Sequence, residues 1–170
     1  MTQSPAQSAK DTFFEEQPYE DHVVKIYRCA KVVKGGRRFR FAALVIVGDR
    51  NGNVGIGYGK ANEVPSAVDK GIKNARKDLA AVHRKGYTIP HRVVGRFGAS
   101  KVVMVPAAEG TGVIAGVHLR PLLELAGIRD VLTKAHGSTN PKNLVQAGMD
   151  ALKRLRTKEM VAELRGVELS

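Results

Sequence analysis

Cations crowd into one short stretch of this chain. Lys31, Lys34, Arg37, Arg38 and Arg40 stand close together with no acidic residue among them. Ammonium and guanidinium groups at that density, without carboxylates to compensate, neutralise phosphates or another polyanion. Arg50 and Lys60 extend the set along the chain. A second group follows at helical spacing, Lys70, Lys73 and Lys77, with Lys85, Arg76 and Arg84 close by. A basic helix face can be merely solvated, but its nearness to the charged stretch favours nucleic acid.

Other chemistry is weaker. Gly110-Thr111-Gly112, then Gly116, with Asp130 further on, looks like a dinucleotide-binding fingerprint with one extra residue in its last gap. In that reading the chain is a small nucleotide-binding enzyme using Gly110, Gly112 and Gly116. Only one such unit occurs, and the strands upstream pattern as a hairpin. The alternatives are a turn that lets a helix pack closely, or backbone N–H groups that meet an RNA phosphate. Gly59-Lys60 fails as a phosphate loop, because Val54 and Ala61 stand where Gly and Ser or Thr are needed. The five histidines, His22, His83, His91, His118 and His136, are scattered without ligand spacing. Cys29 is the one cysteine, which excludes an intrachain disulfide and reads as a small buried hydrophobe. No carboxylate pair suggests acid–base work. Neither a metal nor a cofactor is expected.

The elements that must carry the cations follow from periodicity. Val23 to Val33 and Arg37 to Gly48 read as a β-hairpin with Gly35-Gly36 at its tip, both glycines at positive φ in a primed turn. Alternation puts Phe39 and Phe41 on a packing face and Arg38 and Arg40 on the anion-seeking one. The turn Asp49-Arg50-Asn51-Gly52-Asn53 leads to a third strand, Val54 to Gly59. There Gly55, Gly57 and Gly59 share a face that admits another backbone, a packed helix or a nucleic-acid strand. Gly35, Gly36, Gly55 and Gly57 therefore join the candidate RNA-binding set. The period then turns helical, with Val68, Ile72, Ala75, Leu79 and Val82 on one side, Pro65 in the first turn and Gly86 at the end.

Beyond Gly86, Thr88 to Phe97 and Lys101 to Val105 read as strands joined at Gly98-Ala99-Ser100. The loop from Pro106 to Gly112 opens a helix carrying Ile114, Val117, Leu122, Leu125 and Ala126, which Gly127 ends. Val131 to Ala135 is a strand, and Asn140-Pro141 starts a helix that packs through Leu144, Ala151, Leu152 and Leu155. The expected class is α+β, two small two-layer domains: β-β-β-α over residues 20–86 and β-β-α-β-α over residues 87–160. Residues 1–19 and 161–170 are expected as tails, with Phe13-Phe14 able to dock and a short helix after Glu159.

Composition agrees. The chain has 170 residues, 43% of them hydrophobic, and a formal charge of +12 with a pI near 10.1. That charge points to a polyanion, nucleic acid first; the alternative is a basic surface that is merely solvated. The N-terminus lacks a signal-peptide pattern, and the longest apolar run, Phe41 to Val47, is far short of the roughly 20 residues a membrane helix needs. A cytosolic protein that spans no membrane is expected. Aromatics are 5% with no Trp, so recognition should rest on backbone phosphates and RNA shape rather than on stacked bases.

The segments VVKGGRRFRFAALVIVGDRNGNVGIGYGKANEVPSAVDKGIKNARKDL and PAAEGTGVIAGVHLRPLLELAGIRDVLTKAHGSTNPKNLVQA resemble bacterial small-subunit ribosomal protein five. The resemblance runs from Tyr19 to about Val161. It implies a double-stranded-RNA-binding-like first domain, a second domain of the family's own kind, and a structural rather than catalytic role. It implies binding to small-subunit ribosomal RNA, contact with ribosomal proteins four and eight, and a part in decoding accuracy. The Lys34 to Arg37 tip would approach the rRNA near the spectinomycin site. Gly110, Thr111, Gly112, Gly116 and Arg120 would lie towards protein four. Val117 departs from the small residue common in the family after Gly116, which bears on the packing of that contact.

Overall fold

The computed structural model describes residues 19–166; the readings on Phe13-Phe14 and on the ends of both tails fall outside them. β1 (Glu20–Val33), β2 (Gly36–Gly48), β3 (Asn53–Ala61) and the two-residue β4 (Ala80–Ala81) form an antiparallel sheet in that order. α1 (Val64–Lys77) lies on one face, where Ala43, Val45 and Val47 meet Ala67 and Ala75. The other face carries Leu44, Ile46, Val54 and Ile56. β2 is thus buried on both sides from Ala42 to Gly48, which is why that run is continuously apolar rather than alternating.

α1 stops at Lys77, well short of Gly86. Leu79 and Val82 continue the helical spacing, but the backbone has turned: Ala80–Ala81 pairs with β3, and the Val82 N–H donates to the Gly52 carbonyl at 2.7 Å. Sheet pairing at an otherwise open edge satisfies those groups as well as another helical turn would. Val82 then enters the core on the side away from α1.

In the second half, β5 (Val93–Phe97), β6 (Ser100–Pro106), β7 (Val113–Ile114) and β8 (Val131–Gly137) form a sheet of order β5-β6-β8-β7, antiparallel except for β7 with β8. The helices are α2 (Arg120–Leu125), α3 (Pro141–Lys153) and α4 (Lys158–Arg165). Two expectations are corrected. The first strand begins at Val93 rather than Thr88, and the helix expected from the glycine loop shrinks to α2, because Val113–Ile114 pairs with Val131–Leu132 instead. Gly127 ends α2 at φ 77°, and the Asn140 side chain caps α3 by accepting from the Lys142 N–H at 3.2 Å. The short helix expected after Glu159 is α4, which carries residues 161–165 of the expected tail and is capped by Thr157 and closed by Gly166 at φ 63°.

The fold is α+β with a β-β-β-α first part and a strand-and-helix second part. One core joins them. Leu44, Ile46, Val54 and Ile56 from the first sheet cluster with Ile89, Leu122, Leu123, Ile128, Leu144 and Leu152 from the second part. Gly48 is in van der Waals range of Leu125 with no room for a side chain. The first sheet is therefore held between α1 and the second part.

Candidate nucleic-acid interface

β3 accompanies β2 only between Phe41 and Gly48, so Cys29–Val33 and Gly36–Arg40 pair solely with each other. These residues make a free two-stranded ribbon about 16 Å long, five residues at ~3.3 Å each. Its turn differs from expectation by one residue. Val33 pairs with Gly36, leaving Lys34-Gly35 as the turn, and only Gly36 has positive φ, at 129°. With Val33 paired to Gly36, a lysine stands first in the turn, where positive φ is disfavoured, and the turn is not the doubly positive primed type.

Lys31, Lys34, Arg37, Arg38 and Arg40 are all exposed, and among the described residues none forms an ion pair. Register places Lys31, Arg38 and Arg40 on the face turned away from α1, and Arg37 with Val32 on the other. Phe41 packs beneath α1 as expected. Phe39 does not: the ribbon has outrun the helix, Phe39 is 46% exposed, and the Arg28 guanidinium covers its ring at 3.7 Å. Arg28, which patterning alone did not single out, joins Arg37 on the α1 side, and both faces of the ribbon are basic. Its diagonal relation to Phe39 across the hairpin was the available signal.

The remaining cations divide. Lys60 is exposed on the sheet face opposite α1, whereas Lys70, Lys73 and Lys77 are exposed on α1 itself. The structure does not gather them on one surface. Arg50 is engaged: it sits at φ 56°, and its guanidinium pairs with Glu20 at 2.7 and 2.8 Å. Gly55 and Gly57 leave the RNA-facing set. Both are buried under α1, where a methyl on Gly57 would stand 2.6 Å from the Ala75 nitrogen and would also run into the Gly71 carbonyl. The backbone that approaches these glycines is the helix.

Beside the hairpin root, Tyr27 and Tyr58 lie with ring centroids 6.5 Å apart, and the Lys142 ammonium stands 4.7 Å over the Tyr58 ring. Burial raises the Tyr27 phenol above its usual 10.0, and neighbouring Tyr58 adds to this. The Lys142 backbone pulls the other way, yet the Tyr27 hydroxyl makes no hydrogen bond of good geometry.

The glycine loop carries no nucleotide cradle. Gly110 and Gly112 take φ of 85° and 78°, but β7 rather than a helix follows, and α2 starts only at Arg120. The Gly112 N–H donates to Asp130 Oδ1 at 2.9 Å, so the buried acid of the supposed fingerprint holds the loop itself. Thr111 Oγ1 donates to the Ala108 carbonyl at 2.7 Å. Gly110, Thr111, Gly116 and Arg120 are exposed, Gly112 is half-buried, and Val117 beside them is 82% exposed. Among the described residues no group of His, Cys, Asp or Glu is placed to hold a metal, and no helix is long and apolar enough to cross a membrane.

The profile of "Ribosomal protein S5, N-terminal domain" matches residues 19–83, and that of "Ribosomal protein S5, C-terminal domain" matches residues 95–165. The chain belongs to the ribosomal protein S5 family. S5 relatives named "Small ribosomal subunit protein uS5" agree along nearly the whole length. The one from Rhodopirellula baltica is 52% identical over 96% of this chain and 95% of its own. Those from Syntrophobacter fumaroxidans and Rubrobacter xylanophilus are 56% and 57% identical over 88% of this chain, covering 90% and 75% of theirs. S5 proteins are components of the small ribosomal subunit, not enzymes, and the nucleotide-binding reading of Gly110, Gly112 and Gly116 is set aside on family as well as geometry.

Proposed function

We propose that this chain is a structural component of the small ribosomal subunit that binds small-subunit rRNA chiefly through the β1–β2 ribbon. The observation that carries the reading is that ribbon: five exposed, unpaired cations on about 16 Å of backbone standing free of the sheet. Lys31, Lys34, Arg37, Arg38 and Arg40 neutralise phosphates, and Gly35 and Gly36 keep the tip slim enough to enter an RNA groove. Lys60, Lys70, Lys73 and Lys77 add long-range attraction. The exposed loop bearing Gly110, Thr111, Gly116 and Arg120 is offered to protein neighbours, with ribosomal protein four there and protein eight elsewhere. Through these contacts the chain contributes to translational accuracy, in the cytoplasm, without a cofactor, a membrane or a small-molecule substrate.

The test is Arg37→Ala with Arg38→Ala, loaded onto small-subunit particles that lack this protein, with retention measured against salt. Each lost phosphate contact lowers the slope of log K on log salt by about 0.7–0.9. An unchanged slope defeats the assignment. Co-sedimentation with the small subunit that is abolished by ribonuclease supports it independently.

A further inference from the structure

The second sheet has a face that the hairpin reading does not use. α3 covers one side of β5 and β6: a methyl on Gly95 would stand 2.6 Å from the Ala151 nitrogen, and Val93, Val102 and Met104 are buried there. Strand alternation sends Arg96, Lys101, Lys134 and His136 to the opposite side. Register sets them in rows: Arg96 lies opposite Lys101, Lys101 opposite His136, and Lys134 next along, opposite Val103. At ~4.8 Å between strands, Arg96, Lys101 and His136 fall within about 10 Å.

Like charges directly opposite each other destabilise a sheet. Nothing offsets them locally. No acidic residue occurs between Asp78 and Glu109, or between Asp130 and Asp150. The Asp150 carboxylate is occupied by the Arg96 backbone N–H at 2.9 Å and by Arg154 Nε at 3.0 Å. Among the described residues neither Arg96, Lys101 nor Lys134 has an ion pair, and Arg96, Lys134 and His136 are exposed.

We infer that this open sheet face is a second RNA contact, separate from the ribbon, which receives phosphodiester backbone across the Arg96–Lys101–His136 row. It rests on the rRNA reading above. Protein interfaces are depleted in lysine, whereas a set of donors with no acceptor among Arg96, Lys101 and Lys134 fits phosphates. An RNA backbone in place would offset the repulsion between Arg96 and Lys101 by attraction to both.

The experiment uses the full chain with Arg96→Gln and Lys101→Gln together, beside Arg37→Ala with Arg38→Ala, each loaded onto particles lacking the protein. The sheet variant should melt at or above the wild-type temperature, since like charges have been removed, while its salt slope falls by about 1.4–1.8 for two contacts. A photocrosslinker replacing Lys101 should join to rRNA. An unchanged slope, or a crosslink to a protein, overturns the inference. If the ribbon variant lowers the slope and the sheet variant does not, only the second contact falls. If neither does, or the wild type fails to load, the rRNA reading falls with it.

Discussion

Substituting Gly57 by Ala separates a glycine kept for packing from one kept for RNA. Gly57 lies on β3 against α1, and a methyl built there stands 2.6 Å from the Ala75 nitrogen, where ordinary contact begins at 3.4 Å. The helix backbone must therefore retreat by at least 0.8 Å, the difference of those two distances. Both obstacles, the Ala75 nitrogen and the Gly71 carbonyl, are main-chain atoms that cannot swing aside. Retreat would loosen Ala67 and Ala75 from Ala43, Val45 and Val47 along the whole layer. Overpacking of a tight core costs about 1–3 kcal/mol, and a rigid backbone obstacle places Gly57→Ala at about 3 kcal/mol or beyond. For a chain of this size that is a fall in Tm of roughly 6–12 °C. Gly35→Ala is the control: it meets open space at an ordinary φ and should stay within about 1 kcal/mol of wild type. Thermal unfolding followed by circular dichroism reads both. A Gly57→Ala protein that melts with the wild type, or that loses rRNA affinity without losing stability, would refute the packing argument.

Tyr27→Phe removes a buried hydroxyl that lacks a good partner, so melting at neutral pH should be unchanged or slightly raised. Because burial raises the Tyr27 phenol, the folded state holds its proton more tightly than the unfolded chain does. That contribution is complete below pH 10.0 and is lost as pH climbs through the raised folded value, so stability of the wild type should fall over that alkaline range more than that of Tyr27→Phe. Melting curves of both proteins across the range decide it, and parallel curves would count against it. Asn140→Ala deletes the α3 cap and should cost about 1 kcal/mol, roughly 2–4 °C in Tm, whereas Asn140→Ser should restore most of it.

Local rules carried much of the fold. The Asn140-Pro141 start, the Gly127 stop and the apolar stripe through Leu144, Ala151 and Leu152 rest on short-range geometry, and each is where periodicity placed it, whereas Leu155 is buried but lies beyond the end of α3 at Lys153. The misplaced boundaries were set by partners distant in sequence. Ala80–Ala81 is a strand because the edge of β3 was available, and Val113–Ile114 is one because β8 lay alongside; neither partner is visible in a local window. The hairpin tip slipped by one residue because Lys34-Gly35 and Gly35-Gly36 are both acceptable turns, and pairing from Val33 to Gly36 decided between them. In the candidate site, charge density found the ribbon cations. It could not show that Arg50 is paired with Glu20, or that α1 fills the space over Gly55 and Gly57. The basic row on the second sheet stayed hidden for the same reason, since Arg96, Lys101 and His136 become neighbours only through strand register.

The shared core sets a timetable for synthesis. Leu44, Ile46, Val54 and Ile56 are made early, but the rest of their cluster comes later, Leu122 and Leu123 of α2 about 70 residues on and Leu144 and Leu152 of α3 about 100. At ~5–20 residues per second, that cluster waits on the order of 5–20 s to be completed, and one apolar face of the first sheet is incompletely covered until then. In that interval the nascent chain presents a half-finished sheet beside a strongly cationic ribbon, a combination suited to capture by chaperones or by stray RNA. Completion of α3 ends the exposure.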